Sequence, residues 1–279
     1  MLGAMIGDII GSPYECSYNN CKDTNFPLFS RDSCYTDDSV MTAAVAEAIL
    51  ENYGDEVATE QGVIKSMRKY GRLFPNAGYG CNFGYWLQSN NPKPYNSWGN
   101  GSAMRVSSVG WVYDTLEDVE KYAEITAKVT HNHPEGIKGA KATAAAIFLG
   151  RQGKSKQEIC DYVERKYGYP LSEMTCDKIR PHYMMDESCQ GSVPQAFCAF
   201  REGNSFEEVA RLAVSLGGDS DTIGAIACSM AQAIYPIPDI CINEAFNRLP
   251  IRLKSVISKF VNFLANKKKN NKEHISSIN

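Results

Sequence analysis

Alternating apolar–polar runs, the mark of a half-buried β-strand, are nearly absent from this 279-residue chain, which excludes a sheet-based architecture. No apolar run approaches the length of a transmembrane helix, and Met1-Leu2-Gly3-Ala4-Met5-Ile6-Gly7-Asp8 lacks the basic n-region of a secretory signal. The expected compartment is the cytoplasm. Cationic charge is not in excess: 29 Lys and Arg against 32 Asp and Glu leave a net charge of −3, so no whole-molecule basic field draws nucleic acid or a membrane surface. The ten cysteines contain no C-x-x-C and no paired zinc spacing. Several lie in apolar stretches, such as Cys198 within Gln195-Ala196-Phe197-Cys198-Ala199-Phe200, and they read as reduced, small buried hydrophobes. No linker and no internal repeat divides the chain. One compact domain is expected over 1–266, with the polar 267–279 segment, which opens Lys267-Lys268-Lys269-Asn270, as a solvated tail rather than a nucleic-acid arm.

What is present is helical periodicity. With 43% hydrophobic and 22% charged residues, a chain this long buries an ample core without staples. Helices are expected at roughly 2–11, 37–53, 57–72, 117–130, 135–152, 155–166, 190–202, 205–216, 222–235, 243–248 and 252–266. Ser155-Lys156-Gln157-Glu158 and Ser205-Phe206-Glu207-Glu208 fit the S-x-x-E capping box. Only 73–116, rich in Gly, Asn, Pro and aromatics, reads as a long ordered loop region, a kind of segment that usually serves function.

Two acidic clusters near opposite ends of the chain share one shape. Tyr35-Thr36-Asp37-Asp38-Ser39 and Gly217-Gly218-Asp219-Ser220-Asp221-Thr222 each set two carboxylates and a hydroxyl before an apolar-periodic run. Both therefore fall at helix N-termini, where one capping Asp would suffice. Doubled carboxylates repel, so their appearance at both ends points to a hard cation that neutralises them; two well-capped helices are the plainer reading.

Three further features carry a choice of readings. Ala77-Gly78-Tyr79-Gly80 and Ser97-Trp98-Gly99-Asn100-Gly101-Ser102-Ala103-Met104-Arg105 suit an anion-cradling loop with Tyr79, Tyr95 and Trp98 as stacking surfaces, and suit ordinary turns as well. His131 and His133 precede a helix start that would take a phosphate, or else simply cap it. Gly3, Gly7 and Gly11 give the first helix a narrow face for close packing, and Asp8 within it reads as a buried, hydrogen-bonded structural residue.

Taken together, Gly7-Asp8-Ile9-Ile10-Gly11-Ser12-Pro13-Tyr14-Glu15, the two acidic clusters, Gly78-Tyr79-Gly80, Trp98–Arg105 and Thr130-His131 resemble the ADP-ribosylglycohydrolase family, in family order from residue 3 to 222. The resemblance implies an all-α orthogonal multi-helix bundle with two Mg²⁺ ions. It assigns Thr36, Asp37, Asp38, Asp219, Asp221 and Thr222 to the metals and Glu15 to acid/base or gating work over them. It assigns Gly78, Tyr79, Gly80, Ser97, Trp98, Asn100, Gly101, Ser102 and His131 to the surroundings of ADP-ribose. The implied reaction is hydrolysis of the C1″ bond joining ADP-ribose to a protein side chain or a small acceptor. The implied partners are thus ADP-ribose and ADP-ribosylated molecules.

Departures from the family pattern bear on the branch. Ser39 keeps the hydroxyl where many members have Thr. Asn76 stands where the arginine-specific branch has the Asp of an Asp-x-Gly pattern, and it cannot act as a carboxylate base. Gly78-Tyr79-Gly80 and Gly11–Glu15 are more similar to the branch acting on oxygen-linked ADP-ribose, notably on serine, while Trp98 replaces that branch's Tyr. The rival readings are a catalytically silent ADP-ribose or nucleotide sensor and a purely structural helical protein. The full set of six metal-ligand candidates, with Glu15, argues against both.

Overall fold

In the computed structural model, which describes residues 1–15 and 20–276, the periodic segments become helices almost one for one. The first half carries α1 (Leu2–Gly11), α2 (Asp37–Glu51), α3 (Glu56–Leu73), α4 (Cys81–Gln88), α5 (Gly101–Met104), α6 (Ser107–Val112) and α7 (Leu116–Lys128). The second carries α8 (Pro134–Arg151), α9 (Lys156–Tyr167), α10 (Cys176–Ile179), α11 (Cys189–Glu202), α12 (Phe206–Ser215), α13 (Ser220–Ala231), α14 (Asp239–Arg248) and α15 (Ile251–Ser276). Short 3-10 turns occupy Ser12–Tyr14 and Leu171–Glu173. The described residues include no β-strand, only an isolated antiparallel bridge between Gly99 and Ser188. No described helix is long and apolar enough to cross a membrane.

Two expectations are corrected. The 73–116 segment is not loop throughout, because α4, α5 and α6 lie in it. Each is too short for an apolar period to register in sequence, yet α4 buries Phe83, Trp86 and Leu87, and α6 buries every residue but Trp111. The last helix also does not stop at 266. Lys267 pairs with Asp114 at 2.8 Å and donates to the Tyr53 hydroxyl and the Val112 carbonyl, and the helix continues to Ser276. The remaining residues 277–279 lie outside the described part.

The core forms around helices that are apolar on every side. α13 is buried along its whole length, α2 from Asp38 to Ile49 and α1 from Gly3 to Gly11; such helices belong inside. α1 crosses α13 at backbone contact. A Cβ built on Gly3, Gly7 or Gly11 would lie 2.4, 2.1 and 2.3 Å from the carbonyl oxygens of Cys228, Gly224 and Ser220. The glycine face is thus met by the helix that begins at the second acidic cluster, and the crossing fixes where that cluster sits. α2 packs against both α1 and α13, and the two acidic N-termini open into one cleft.

Gly7→Ala is therefore expected to destabilise the fold by about 1–3 kcal/mol or more, the cost of overpacking against backbone that cannot yield. Gly84→Ala in α4, where nothing lies within 4 Å of the added Cβ, should be neutral or slightly stabilising. Denaturant unfolding of both variants checks the contrast; equal stability of the two would contradict the close crossing.

Candidate active site and metal centre

The N-termini of α2 and α13 and the end of α1 form the floor of a cleft of about 390 Å³. Asp37, Asp38, Asp219, Asp221, Thr222 and Glu15 all line it. Carboxylate oxygens of Glu15, Asp219 and Asp221 lie within 4.8 Å of one another. Thr222 Oγ1 donates to Asp38 Oδ2 at 3.1 Å, tying the two clusters directly together. Capping accounts for the first cluster only in part: Thr36 Oγ1 accepts from the Asp38 N–H at 3.3 Å, and neither Asp37 nor Asp38 caps. In the second, Asp219 occupies the cap position and makes no capping bond.

Asp8 organises the first cluster from behind. Fully buried in α1, it accepts from the backbone N–H groups of Thr36 and Ser39 at 3.0 Å each, from Thr36 Oγ1 at 2.8 Å and from the Ser39 hydroxyl. This is the structural role expected of it. Thr36 Oγ1 accepts one bond and gives one, which leaves it a lone pair.

The electrostatics are those of negative charge crowded in a dry place. Burial first, then neighbouring carboxylates, hold the carboxyls of Asp38 and Asp221 well above the ordinary range. Asp37 is pushed up to about 8 by burial and by Asp8 and Asp219; Glu15 is raised by burial and by Asp219, Asp8 and Glu187. Asp38 Oδ1 is buried without any hydrogen-bond partner. An orphaned carboxylate oxygen among hard oxygen donors that repel one another fits a hard divalent cation of the magnesium type.

The walls come from the loops at 78–80 and 95–101, from His131, and from the segment before α11. Gly78 lines the cleft with φ +97°, a conformation glycine adopts without strain, and the Asp37 N–H bonds to Ala77 at 2.7 Å to hold this loop on α2. Asn100 donates to Asp219 Oδ2 at 2.5 Å and to Ser192 Oγ at 2.8 Å, so its amide aims a floor carboxylate. Ser97, Gly80, Gly101 and His131 line the cleft as well. His131 is held neutral, its pKa pushed well down by burial and by Arg105. Arg105 Nη2 donates to Thr130 Oγ1 at 2.8 Å, and Thr130 Oγ1 shares a hydrogen bond with His131 Nδ1 at 2.7 Å. The other ring nitrogen, Nε2, lies against Gly99 and Gly101.

Three residues assigned to the ligand do not line the cleft with their side chains. Ser102 is fully buried and its hydroxyl donates to the Gly136 carbonyl at 2.7 Å, away from the cleft. Tyr79 packs on Phe83 with ring centroids 5.6 Å apart and its hydroxyl is buried without a partner. Trp98 stands on the rim, 52% exposed and edge-on to His133 at 5.6 Å. Conversely, Phe83, Met185 and Glu187 line the cleft and were not singled out by sequence. Glu187 had a usable signal, because Asp186-Glu187-Ser188 before α11 repeats the pattern of two carboxylates and a hydroxyl before a helix.

Residues 1–263 match the family model for ADP-ribosylglycohydrolase. The chain is 27% identical to ADP-ribosylhydrolase ARH3 of Mus musculus, covering 86% of this chain and 84% of the relative, and 26% identical to that of Homo sapiens, covering 86% and 85%. It is 24% identical to the ADP-ribosylarginine hydrolase Tri1 of Pseudomonas putida over 85% and 70%. Among solved structures, one of an ADP-ribosylglycohydrolase-related protein complex shares the fold with a TM-score of 0.66, at 21% identity over 95% and 96% of the two chains.

The raised carboxylates set a pH dependence. In the folded chain Asp37 releases its proton near 8 rather than near 3.8, so between those limits the folded state binds more protons than the unfolded one. The stability of the cation-free chain should therefore fall as pH rises through that window. Magnesium, which binds the ionised form, should raise Tm much more at pH 8 than at pH 5. Thermal melts in chelator and in magnesium at the two pH values test this; a Tm in chelator that does not fall with pH would contradict it.

Proposed function

The chain belongs to the ADP-ribosylglycohydrolase family, and on that premise we propose that it is a magnesium-dependent hydrolase that cleaves the C1″ glycosidic bond of attached ADP-ribose and releases ADP-ribose. The observation that carries this reading is the meeting of both doubled acidic clusters with Glu15 on one cleft floor, with an unpartnered Asp38 oxygen among them. A sensor would need the walls of the cleft and has no use for this floor.

Thr36, Asp37, Asp38, Asp219, Asp221 and Thr222 would hold the ions. When bound, a magnesium pair supplies positive charge that fixes ribose hydroxyls and acidifies a water. The protein's own groups do the rest. Asp8 and Asn100 keep Thr36 and Asp219 in position, so that little reorganisation is needed when substrate arrives. His131 and the glycine-lined wall offer hydrogen-bonding groups and close backbone approach to the diphosphate. Trp98 on the rim covers the nucleoside side. Breaking the C1″ bond builds oxocarbenium-like charge on the ribose, as in glycoside hydrolysis. Glu15, partly exposed and outside both acidic pairs, moves the proton at the scissile oxygen or the attacking water.

The linkage we propose is through oxygen, with serine as the protein acceptor. The similarity to ADP-ribosylhydrolase ARH3 and the amide at Asn76, in place of a carboxylate, support that choice.

Asp221→Ala should abolish magnesium-dependent release of ADP-ribose, lowering turnover by orders of magnitude while the circular-dichroism spectrum stays helical. Full activity in that variant would sink the binuclear reading. Glu15→Gln should keep ADP-ribose affinity, measured by calorimetry, and lose about 10²–10⁴ in turnover, the scale of general acid–base catalysis. Normal turnover at saturation combined with lost binding would instead make Glu15 a structural residue.

A further inference from the structure

At the end of α11 remote from the cleft, roughly 20 Å along the helix from its first residue, stands a second group of metal-binding side chains. Cys198 and Glu202 sit one turn apart on α11, and Cys176 opens α10 against them. Their two Sγ atoms and a carboxylate oxygen all lie within 4.8 Å of one another. Cys198 Sγ is 3.5 Å from Glu202 Oε1, and both Glu202 oxygens accept from the Cys176 backbone N–H at 3.2 Å. The thiols are buried, while the Glu202 side chain is 29% exposed.

We propose that Cys176, Cys198 and Glu202 form a second cation site, for a thiophilic divalent ion of the zinc class, separate from the oxygen-lined floor of the cleft. Three observations support it. A tetrahedral ion with sulfur at about 2.3 Å and oxygen at about 2.0–2.2 Å needs a sulfur–oxygen separation of about 3.6 Å, close to the spacing already present. The carboxylate is fixed by a backbone N–H from the helix that carries Cys176, so the donors are preorganised on two helices. Charge also balances. Two thiolates, one carboxylate and a divalent ion leave one negative charge, and the Arg201 guanidinium lies 3.5 Å from Glu202 Oε1 and 3.9 Å from Cys198 Sγ. Arg201 is itself held by the Leu171 and Met174 carbonyls, an outer partner of the kind that tunes metal sites.

Glu202 is the exposed ligand and gives the ion its way in, and a water completes four-coordination. Binding exchanges the two S–H protons for two metal–sulfur bonds and releases both protons to solvent. Sequence spacing cannot show this site, because Cys176 on α10 lies 22 positions before Cys198 and joins Cys198 and Glu202 only when α10 packs against α11. Magnesium does not compete for it, since two of the three donors are soft sulfur.

The test uses the full chain stripped of metal and titrated with cobalt(II), a coloured stand-in for zinc. One equivalent should give a near-ultraviolet thiolate-to-cobalt band that zinc displaces. The band should vanish in Cys176→Ser and in Cys198→Ser, weaken at least tenfold in affinity in Glu202→Gln, and persist in Asp221→Ala. A wild-type chain without the band, or a band unchanged in both cysteine variants, overturns the proposal. Should the serine variants fail to fold, alkylation of the wild type decides the matter. Zinc should protect Cys176 and Cys198 while leaving the rate at Cys228 unchanged; equal rates at all three with and without zinc overturn it.

Discussion

Mutual repulsion among buried carboxylates is the constraint that the rest of this structure answers. Asp8, Glu15, Asp37, Asp38, Asp219 and Asp221 converge at one end of the bundle, most of them out of water. Two like charges about 4 Å apart oppose each other by about 4 kcal/mol at an effective dielectric of 20, so a floor of this kind does not assemble by itself. It is imposed by packing elsewhere. The Gly3, Gly7 and Gly11 face presses α1 into α13 at backbone distance, and the apolar lengths of α1, α2 and α13 fix the helix ends that carry the acids. Asp8 is the member of the set with the most protein donors, two backbone N–H groups and two hydroxyls, which offset only part of the burial that raises its carboxyl to about 6. The others are left for a cation.

That division gives the cleft its logic. The floor offers carboxylates and hydroxyls and hardly any protein donors, whereas the walls offer glycine backbone, a neutral histidine and aromatic surface. A ligand with a diphosphate and a ribose meets donors along the wall and a cation-binding set at its sugar end. The Arg105–Thr130–His131 chain serves the wall as Asp8 serves the floor, holding the imidazole ring from a buried position.

Much of this was legible in the chain. The doubled acids, the glycine stripe, the structural Asp8 and the all-α class each follow from a local pattern: charge before an apolar run, a period of four, a missing alternation. What stayed hidden depends on direction or on distance in sequence. Ser102 lies inside the most distinctive motif, yet its hydroxyl turns to Gly136, and no pattern states which way a side chain on a one-turn helix points. Asn100, assigned by the resemblance to the surroundings of ADP-ribose, also donates to Asp219, a contact made across 119 positions that no local pattern announces. α4 and α6 escaped because a helix of six or eight residues completes barely two turns, too few for a period to emerge from Gly- and Asn-rich surroundings. The Cys176–Cys198–Glu202 group joins parts of the chain whose spacing matches no metal motif.

The most direct test of the account is a crystal of the full chain soaked with manganese(II) and ADP-ribose, with anomalous differences measured at the manganese edge. Two anomalous peaks are expected on the cleft floor, bounded by Asp37, Asp38, Asp219 and Asp221, with the distal ribose over them and the diphosphate along the His131 wall. Ligand bound in the cleft with no anomalous peak beneath it would contradict the claim that these carboxylates are a metal centre.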